Sequence, residues 1–174
     1  MPNDTQTQQQ SFQTVSDILL SWHLLTPAQH EEIKVKSAAQ GISDELVLRS
    51  LNLVPEEKIT EAKAKLLGIP FVSLGGTSFS PQAINFISRA VAERFSLIPF
   101  MYDEKTKTLS VAMGNPVDLD AVSFVKQKTN LNIKSFAASP SDVERAIKEQ
   151  YRQEIVGEVG EALKETEEFA KTRT

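Results

Sequence analysis

The chain of 174 residues has no cysteine. That excludes disulfides, thiolate metal sites and cysteine nucleophiles. Its two histidines, His23 and His30, fall short of the roughly four ligands that a zinc site takes. None of its seven glycines is followed by lysine. It therefore has no Gly-x-x-x-x-Gly-Lys loop, whose backbone N–H groups would wrap the phosphates of a nucleotide. No apolar run approaches the ~18 residues of a membrane span. The nineteen basic residues are scattered singly and the net charge is -4, so no basic stripe offers itself to a nucleic-acid backbone. Met1 to Gln13 lacks the basic start and apolar middle of a secretory signal. The expectation is a cytoplasmic protein, held at a membrane only through a partner. No nucleophile, base and oxyanion set can be assembled from the residue pattern, so the chain reads as a non-enzyme.

What is present suits a soluble fold: 40% hydrophobic and 24% charged residues, in a length that buries one core or two small ones. Residues 1–13, with Gln6 and then Gln8, Gln9 and Gln10, read as a disordered tail. Residues 152–174 are charge-rich, with Val156, Val159, Leu163 and Phe169 thinly spread. They read as a linker or helix extension. Two folded units are expected between them, a helical one over residues 14–68 and a mixed one over residues 69–151.

In the first, Val15, Ile18, Leu19 and Trp22 fall at helical spacing. Thr26-Pro27-Ala28-Gln29 is a helix start with a Thr cap, Pro at the first helical position and Gln three residues after the cap. The helix it opens carries Ile33 and Val35 and stops near Gly41. Leu46 to Leu51 reads as a short helix. Pro55-Glu56-Glu57 opens another that presents Ile59, Ala62, Leu66 and Leu67 and ends at Gly68. Leu24-Leu25-Thr26-Pro27 resembles Leu53-Val54-Pro55-Glu56, and each is followed by a helix ending in Gly. This weak repeat suits a small helical bundle.

In the second unit, Phe71 to Leu74 reads as a strand between Pro70 and Gly75-Gly76. Ser80-Pro81 starts a helix with Ile84 and Ile87 inward and a break near Ser88. Leu97 to Tyr102 and Thr108 to Met113 read as a hairpin about the polar turn Asp103 to Lys107. Asp118 to Lys128 is a helix with Leu119, Val122, Phe124 and Val125. Ile133 to Ala137 is a further strand, and Ser139-Pro140-Ser141-Asp142 opens a last helix with Val143, Ala146, Ile147 and Tyr151 inward. The fold class expected is α+β: a small N-terminal helical bundle, then a small antiparallel or mixed sheet covered by helices. Gly75-Gly76-Thr77 reads as a strand exit, His30 as a helix-face residue and His23 as a turn residue. Asp118 and Asp120 read as caps and dipole partners rather than a catalytic pair. Trp22 reads as a packing residue.

Four stretches of the chain, in order, carry a resemblance. They are Ala64-Lys65-Leu66-Leu67-Gly68-Ile69-Pro70-Phe71-Val72-Ser73-Leu74, then Leu97-Ile98-Pro99-Phe100, then Leu109-Ser110-Val111-Ala112-Met113-Gly114-Asn115-Pro116, and last Ala146-Ile147-Lys148-Glu149-Gln150-Tyr151. In that order and at those spacings the chain resembles the N-terminal domain of the assembly ATPases of type IV pili and type II secretion. The resemblance implies a module that docks the motor or senses a signal. Its partner would be the cytoplasmic domain of an inner-membrane platform protein. ATP, magnesium and hexamer formation would belong to a downstream motor domain, to which residues 152–174 would lead; a free-standing adaptor is the other expectation. The surfaces expected to meet the partner are the helical stretch from Ser80, with Arg89 and Arg94, and the hairpin tip, with Lys105 and Lys107.

The resemblance also bears on a ligand. In the family the helical unit often binds cyclic di-GMP through a pattern used twice in tandem: Arg-Leu-Gly, apolar residues, then a second Gly. Glycine lets backbone approach the phosphodiester, and Arg supplies charge and stacking. In this sequence the first copy's Arg-Leu-Gly falls on Thr14, Val15 and Ser16, and its second Gly on His23. The second copy's falls on Ser43, Asp44 and Glu45, and on Asn52. Arg and all four glycines are replaced, and two acids stand where an anion would dock. The expectation is a kept helical scaffold without cyclic di-GMP binding and without any cofactor in this chain; the alternative is a cyclic di-GMP-sensing domain of such an ATPase.

Overall fold

Helix boundaries in the first unit follow from caps. Thr14 and Thr26 each accept a backbone N–H from the residue three positions on, and Asp17 and Gln29 bond back to the cap backbone. These reciprocal bonds satisfy donors that a helix start would leave orphaned. They open α1 (Val15–Ser21) and α2 (Pro27–Gln40). Gly41 closes α2 at φ 63, a left-handed conformation that costs glycine nothing sterically. Ser43 caps α3 (Asp44–Leu51), which starts two residues before the apolar pattern because the hydroxyl takes the Leu46 N–H. Next comes α4 (Glu56–Leu67), ended by Gly68 at φ 68.

The structure, a computed structural model, describes residues 12–152. The tail expected over 1–13 and the linker expected over 152–174 lie almost wholly outside the described residues. Two compact units divide between Phe71 and Val72. The core of the first joins Val15, Ile18 and Leu19 of α1 to Ile33, Val47, Leu48, Ile59 and Ala62, with Trp22 packed beside it. At about 1.5–3 kcal/mol for each fully buried aliphatic side chain, this set is the main stabilising contribution. Leu66 and Leu67, expected on the buried face of α4, are exposed instead. The helix turns Ile59, Ala62 and Ala64 inward, and the last turn's leucines line an open cleft.

The second unit contains α5 (Pro81–Ile84), α6 (Arg89–Phe95), α7 (Leu119–Thr129) and α8 (Pro140–Gln150). Its strands are β1 (Leu97–Asp103), β2 (Thr108–Met113) and β3 (Asn132–Ala137). The sheet has order β1-β2-β3, antiparallel between the first two and parallel between the last two. It is therefore a mixed sheet, and among the described residues the molecule is α+β, eight helices and three strands. Phe100 is an extra residue between the pairs Pro99–Val111 and Met101–Ser110, a bulge that bends β1.

Phe71 to Leu74 is not a strand of this sheet. Val72 donates one bond to the Ala137 carbonyl (2.9 Å), and Leu74–Gly76 then turns as a 3-10 helix. Pro70 lacks a donor and Gly75-Gly76 bends freely, so the segment is too short to pair along β3. On α7 the buried positions are Ala121 and Val125, four apart. Leu119 is exposed, and Phe124 lies against Phe95 at 5.2 Å. The unit's core runs through Leu97, Ile98, Leu109, Val111, Met113 and Val143.

Candidate functional site

The starts of the two tandem copies meet in the first unit. Thr14 and Ser43 are the caps of α1 and α3, and Ser16 Oγ donates a hydrogen bond to Asp44 Oδ2. Ser16 is fully buried and Asp44 nearly so. Beside them opens a cleft of about 370 Å³. Its polar wall includes Thr14, Ser37, Asp44, Glu45 and Lys63, and its apolar wall is Val15, Leu66 and Leu67.

The carboxylates here are fully engaged. Asp17 Oδ1 accepts from His30 Nε2 (2.9 Å) and Lys34 Nζ (3.1 Å), while Oδ2 accepts the backbone N–H groups of Gln13 and Thr14. A carboxylate can only accept, so Nε2 of His30 is the donor. Burial opposes ionisation of Asp17, but the bonds from His30, Lys34 and the Gln13 backbone outweigh it. They hold its carboxyl well below the usual carboxylate range. Asp44 is likewise shifted down: burial raises it, and the hydroxyls of Ser16, Thr14 and Ser37, with the Lys34 charge, lower it further. Glu45 is also lowered, with burial opposed by Lys63 and Arg49. Lys63 lies 2.9 Å from Glu45, and Arg49 bridges Glu45 (3.1 Å) to Glu56 (2.7 Å). The basic groups on this wall already face acids, and the wall stays anionic near neutral pH.

The two positions opposite the second glycine keep a glycine's backbone. His23 has φ 59 and Asn52 φ 51. Both end helices: His23 N–H bonds the Leu20 carbonyl after α1, and Asn52 N–H bonds the Leu48 carbonyl after α3. The left-handed turn is retained while the side chain that fills it is not glycine's.

The four expected partner-binding residues lie on two elements, a helix and a turn. Arg89 and Arg94 lie on α6, before β1, rather than on the helix that starts at Ser80. Arg89 Nε is tied to Glu93 (2.8 Å), and Arg94 stacks over Phe95 at 5.1 Å. Lys105 and Lys107 lie in the turn at the far end of β1. At ~3.3 Å per residue, the seven residues of β1 set that turn about 20 Å from Leu97, where α6 hands over to the strand. The turn is fixed by Asp103, whose Oδ1 accepts from Lys105 N–H (2.9 Å).

Asp118 caps α7 by accepting the Ala121 N–H (3.0 Å). Among the described residues no group of three or more His, Asp or Glu side chains is placed to hold a metal ion. The Asp17–His30–Lys34–Asp44 network was not legible in the sequence. Asp17 and His30 lie 13 positions apart, Ser16 and Asp44 lie 28 apart, and three separate helices carry them.

Residues 67–157 match the family described as the MshEN domain. The type IV pilus assembly ATPase PilB of Myxococcus xanthus is 29% identical over 160 residues, covering 88% of this chain and 27% of that protein. PilB of Thermus thermophilus is 26% identical over 133 residues, covering 76% of this chain and 15% of that protein. The chain therefore spans a minor part of the length of these relatives. Among solved structures, MshE with cdg shares the fold at a TM-score of 0.60 and 19% identity, over 80% of this chain and 100% of that one. The N-terminal domain of XpsE does so at 0.52 and 20%, over 77% and 91%.

Proposed function

Because the chain belongs to the MshEN domain family, we propose that it is the N-terminal domain of an assembly ATPase of the type IV pilus or type II secretion kind, and that it docks such a motor onto an inner-membrane assembly platform without catalysing a reaction itself. The observation that carries this reading is the anionic cleft of the first unit. Where the tandem pattern would present Arg and glycines to a phosphodiester, this chain presents Asp44 and Glu45, ionised and bonded to their own neighbours. An anion brought there meets like charge in a partly desolvated setting, which costs far more than it does in water. A folded helical unit without an anion site is a scaffold, and the work of recognition then passes to exposed surfaces.

The partner is the cytoplasmic domain of a platform protein, and ATP hydrolysis belongs to a motor domain beyond this chain. Arg89 and Arg94 on α6 form one contact surface and the Lys105–Lys107 turn the other. Charge reversal of Arg89 and Arg94 together should weaken capture of the full-length motor by membranes containing the platform protein. Unchanged capture by both that variant and a Lys105/Lys107 reversal would sink the docking reading.

A second reading is cyclic di-GMP sensing, favoured by the shared fold of MshE, solved with cdg. Titration calorimetry separates the two. Absence of heat supports docking, and micromolar binding would replace it with sensing.

A further inference from the structure

One end of the sheet gathers five exposed lysines. Lys105 and Lys107 stand in the β1–β2 turn. Asn132 N–H bonds the Lys107 carbonyl (2.9 Å), and Asn132 Nδ2 bonds that of Thr106 (3.2 Å), so the start of β3 is fastened to that turn. Lys126 and Lys128 occupy the last turn of α7, which ends three residues before β3. Lys134 follows on β3, opposite Ser110. Among the described residues none of the five makes an ion pair, whereas Arg89, Arg145 and Lys148 in the same unit do. Lys128 and Lys134 rest instead on the rings of Phe124 and Phe136. The acids of the turn itself are Asp103, spent on backbone N–H groups of its own turn, and Glu104. Five exposed like charges at one end of a sheet, without an ion-pair partner among the described residues, favour an anionic partner.

The chain carries such a partner. Residues 153–174 contain Glu154, Glu158, Glu161, Glu165, Glu167 and Glu168 against Lys164, Lys171 and Arg173. Helix α8, which precedes them, runs back toward the lysine side. Helix α8 begins beside Gly114, where a Cβ would stand 3.4 Å from Pro140 Cα, at the Met113 end of the sheet. It ends at Tyr151, whose hydroxyl donates to the Ile87 carbonyl (2.7 Å). Phe86 packs on Tyr102 at 4.8 Å, one residue from the Asp103–Thr108 pair that closes the turn. Twenty-two residues reach up to about 70 Å when extended, far more than the sheet's length. A tethered segment acts at an effective concentration on the order of millimolar, which favours it over an acidic partner in trans.

We propose that residues 153–174 dock through their glutamates onto the lysine end formed by Lys105, Lys107, Lys126, Lys128 and Lys134. The segment that leads out of the module is thereby held against it, and an anionic partner seeking Lys105 and Lys107 must displace it. The interface does not depend on the docking function, because it forms within one chain.

The absence of native cysteine makes the test clean. Ala162→Cys, labelled with a nitroxide, places one spin label among the glutamates of the full chain. Paramagnetic broadening of the backbone amides of Lys105, Lys107, Lys128 and Lys134, with Gly114 at the other end of the sheet spared, is the result expected. It should fade as salt shortens the screening length from ~8 Å at physiological strength to ~3 Å at about 1 M. It should also fade in Glu158→Gln/Glu165→Gln/Glu168→Gln, whose unlabelled amide spectrum reports that the fold is intact. No selective broadening, or broadening that survives both changes, overturns the proposal. So does broadening seen between labelled and isotope-enriched copies mixed together, which would make the occupant a second chain. Loss of platform capture with this broadening intact would count against the docking function alone.

Discussion

Replacing Asp17 by alanine should destabilise the first unit by about 2–3 kcal/mol. The side chain does three things at once. It closes the capping box of α1 by accepting the Thr14 N–H (3.0 Å) and takes the Gln13 N–H (3.1 Å). It receives His30 Nε2 from α2 at 2.9 Å. It also anchors Lys34 at 3.1 Å. Loss of a cap costs ~1 kcal/mol, and a hydrogen bond to a charged acceptor in a part-buried setting contributes ~1.5 kcal/mol. The Lys34 pair, with its lysine a third exposed, adds at most a few tenths, since solvent screens it. Asp17→Asn keeps an acceptor oxygen at the cap and loses the charge, so about half the effect is expected.

Trp22, the single tryptophan, packs against the core of this unit, so its fluorescence during urea unfolding reads the first unit selectively. For a unit of this size each kcal/mol corresponds to roughly 4–8 °C in Tm. The pH dependence has a definite sign. The folded carboxyl of Asp17 is depressed, so its stabilisation is fully present above the unfolded value near ~3.9 and is lost as pH falls through the folded one. Wild type should lose Trp22 stability steeply below about pH 4, and Asp17→Ala should lose less. An alanine variant with an unchanged urea midpoint and the same acid profile would show that the network is geometric decoration and contributes nothing.

Other consequences are smaller. Thr60 Oγ1 is buried without a hydrogen-bond partner; Thr60→Val removes that desolvation cost and should raise stability by about 0.5–1.5 kcal/mol in the same urea assay. His23 sits at φ 59, so His23→Gly should stabilise by about 1 kcal/mol, the excess of left-handed strain over glycine's extra chain entropy. A neutral or destabilising result would mean that the imidazole contributes packing which the backbone gain does not offset. Tyr151→Phe deletes the 2.7 Å bond to the buried Ile87 carbonyl and should cost the second unit about 1–2 kcal/mol, read by amide hydrogen exchange in α5 and α8.

The elements legible in the sequence were those whose cause is local. Thr26-Pro27-Ala28-Gln29 contains all that a helix start needs, and the structure forms both reciprocal bonds there. The hairpin was legible because Asp103 to Lys107 interrupts two apolar runs. Phe71 to Leu74 misled because four apolar residues fit a strand or a turn equally, and only the neighbouring chain decides. Leu66 and Leu67 misled because helical spacing names a face but not where its neighbour ends. The acidic network and the lysine end were beyond the sequence for the same reason. Lys107 and Lys134 are 27 positions apart, and nothing local says that β3 pairs with β2 in parallel and begins beside the β1–β2 turn.

The tandem glycine positions separate two roles that a sequence pattern merges. Glycine at such a site can serve the chain, by permitting positive φ, or serve a ligand, by leaving room beside the backbone. His23 and Asn52 adopt φ 59 and φ 51, so the chain's need for the left-handed turn is met here without glycine. Asparagine tolerates that conformation through its short polar side chain; histidine does so less readily. The backbone course of both turns is thus maintained at a cost in strain, by packing of α1 and α3 into one core. The cleft beside α1 and α3 is a separate matter: Ser43 stands where the pattern has its Arg, and the acids Asp44 and Glu45 follow it on the wall. The course of such turns is thus set by the core that holds them, while what the cleft can bind is set by the side chains on its wall.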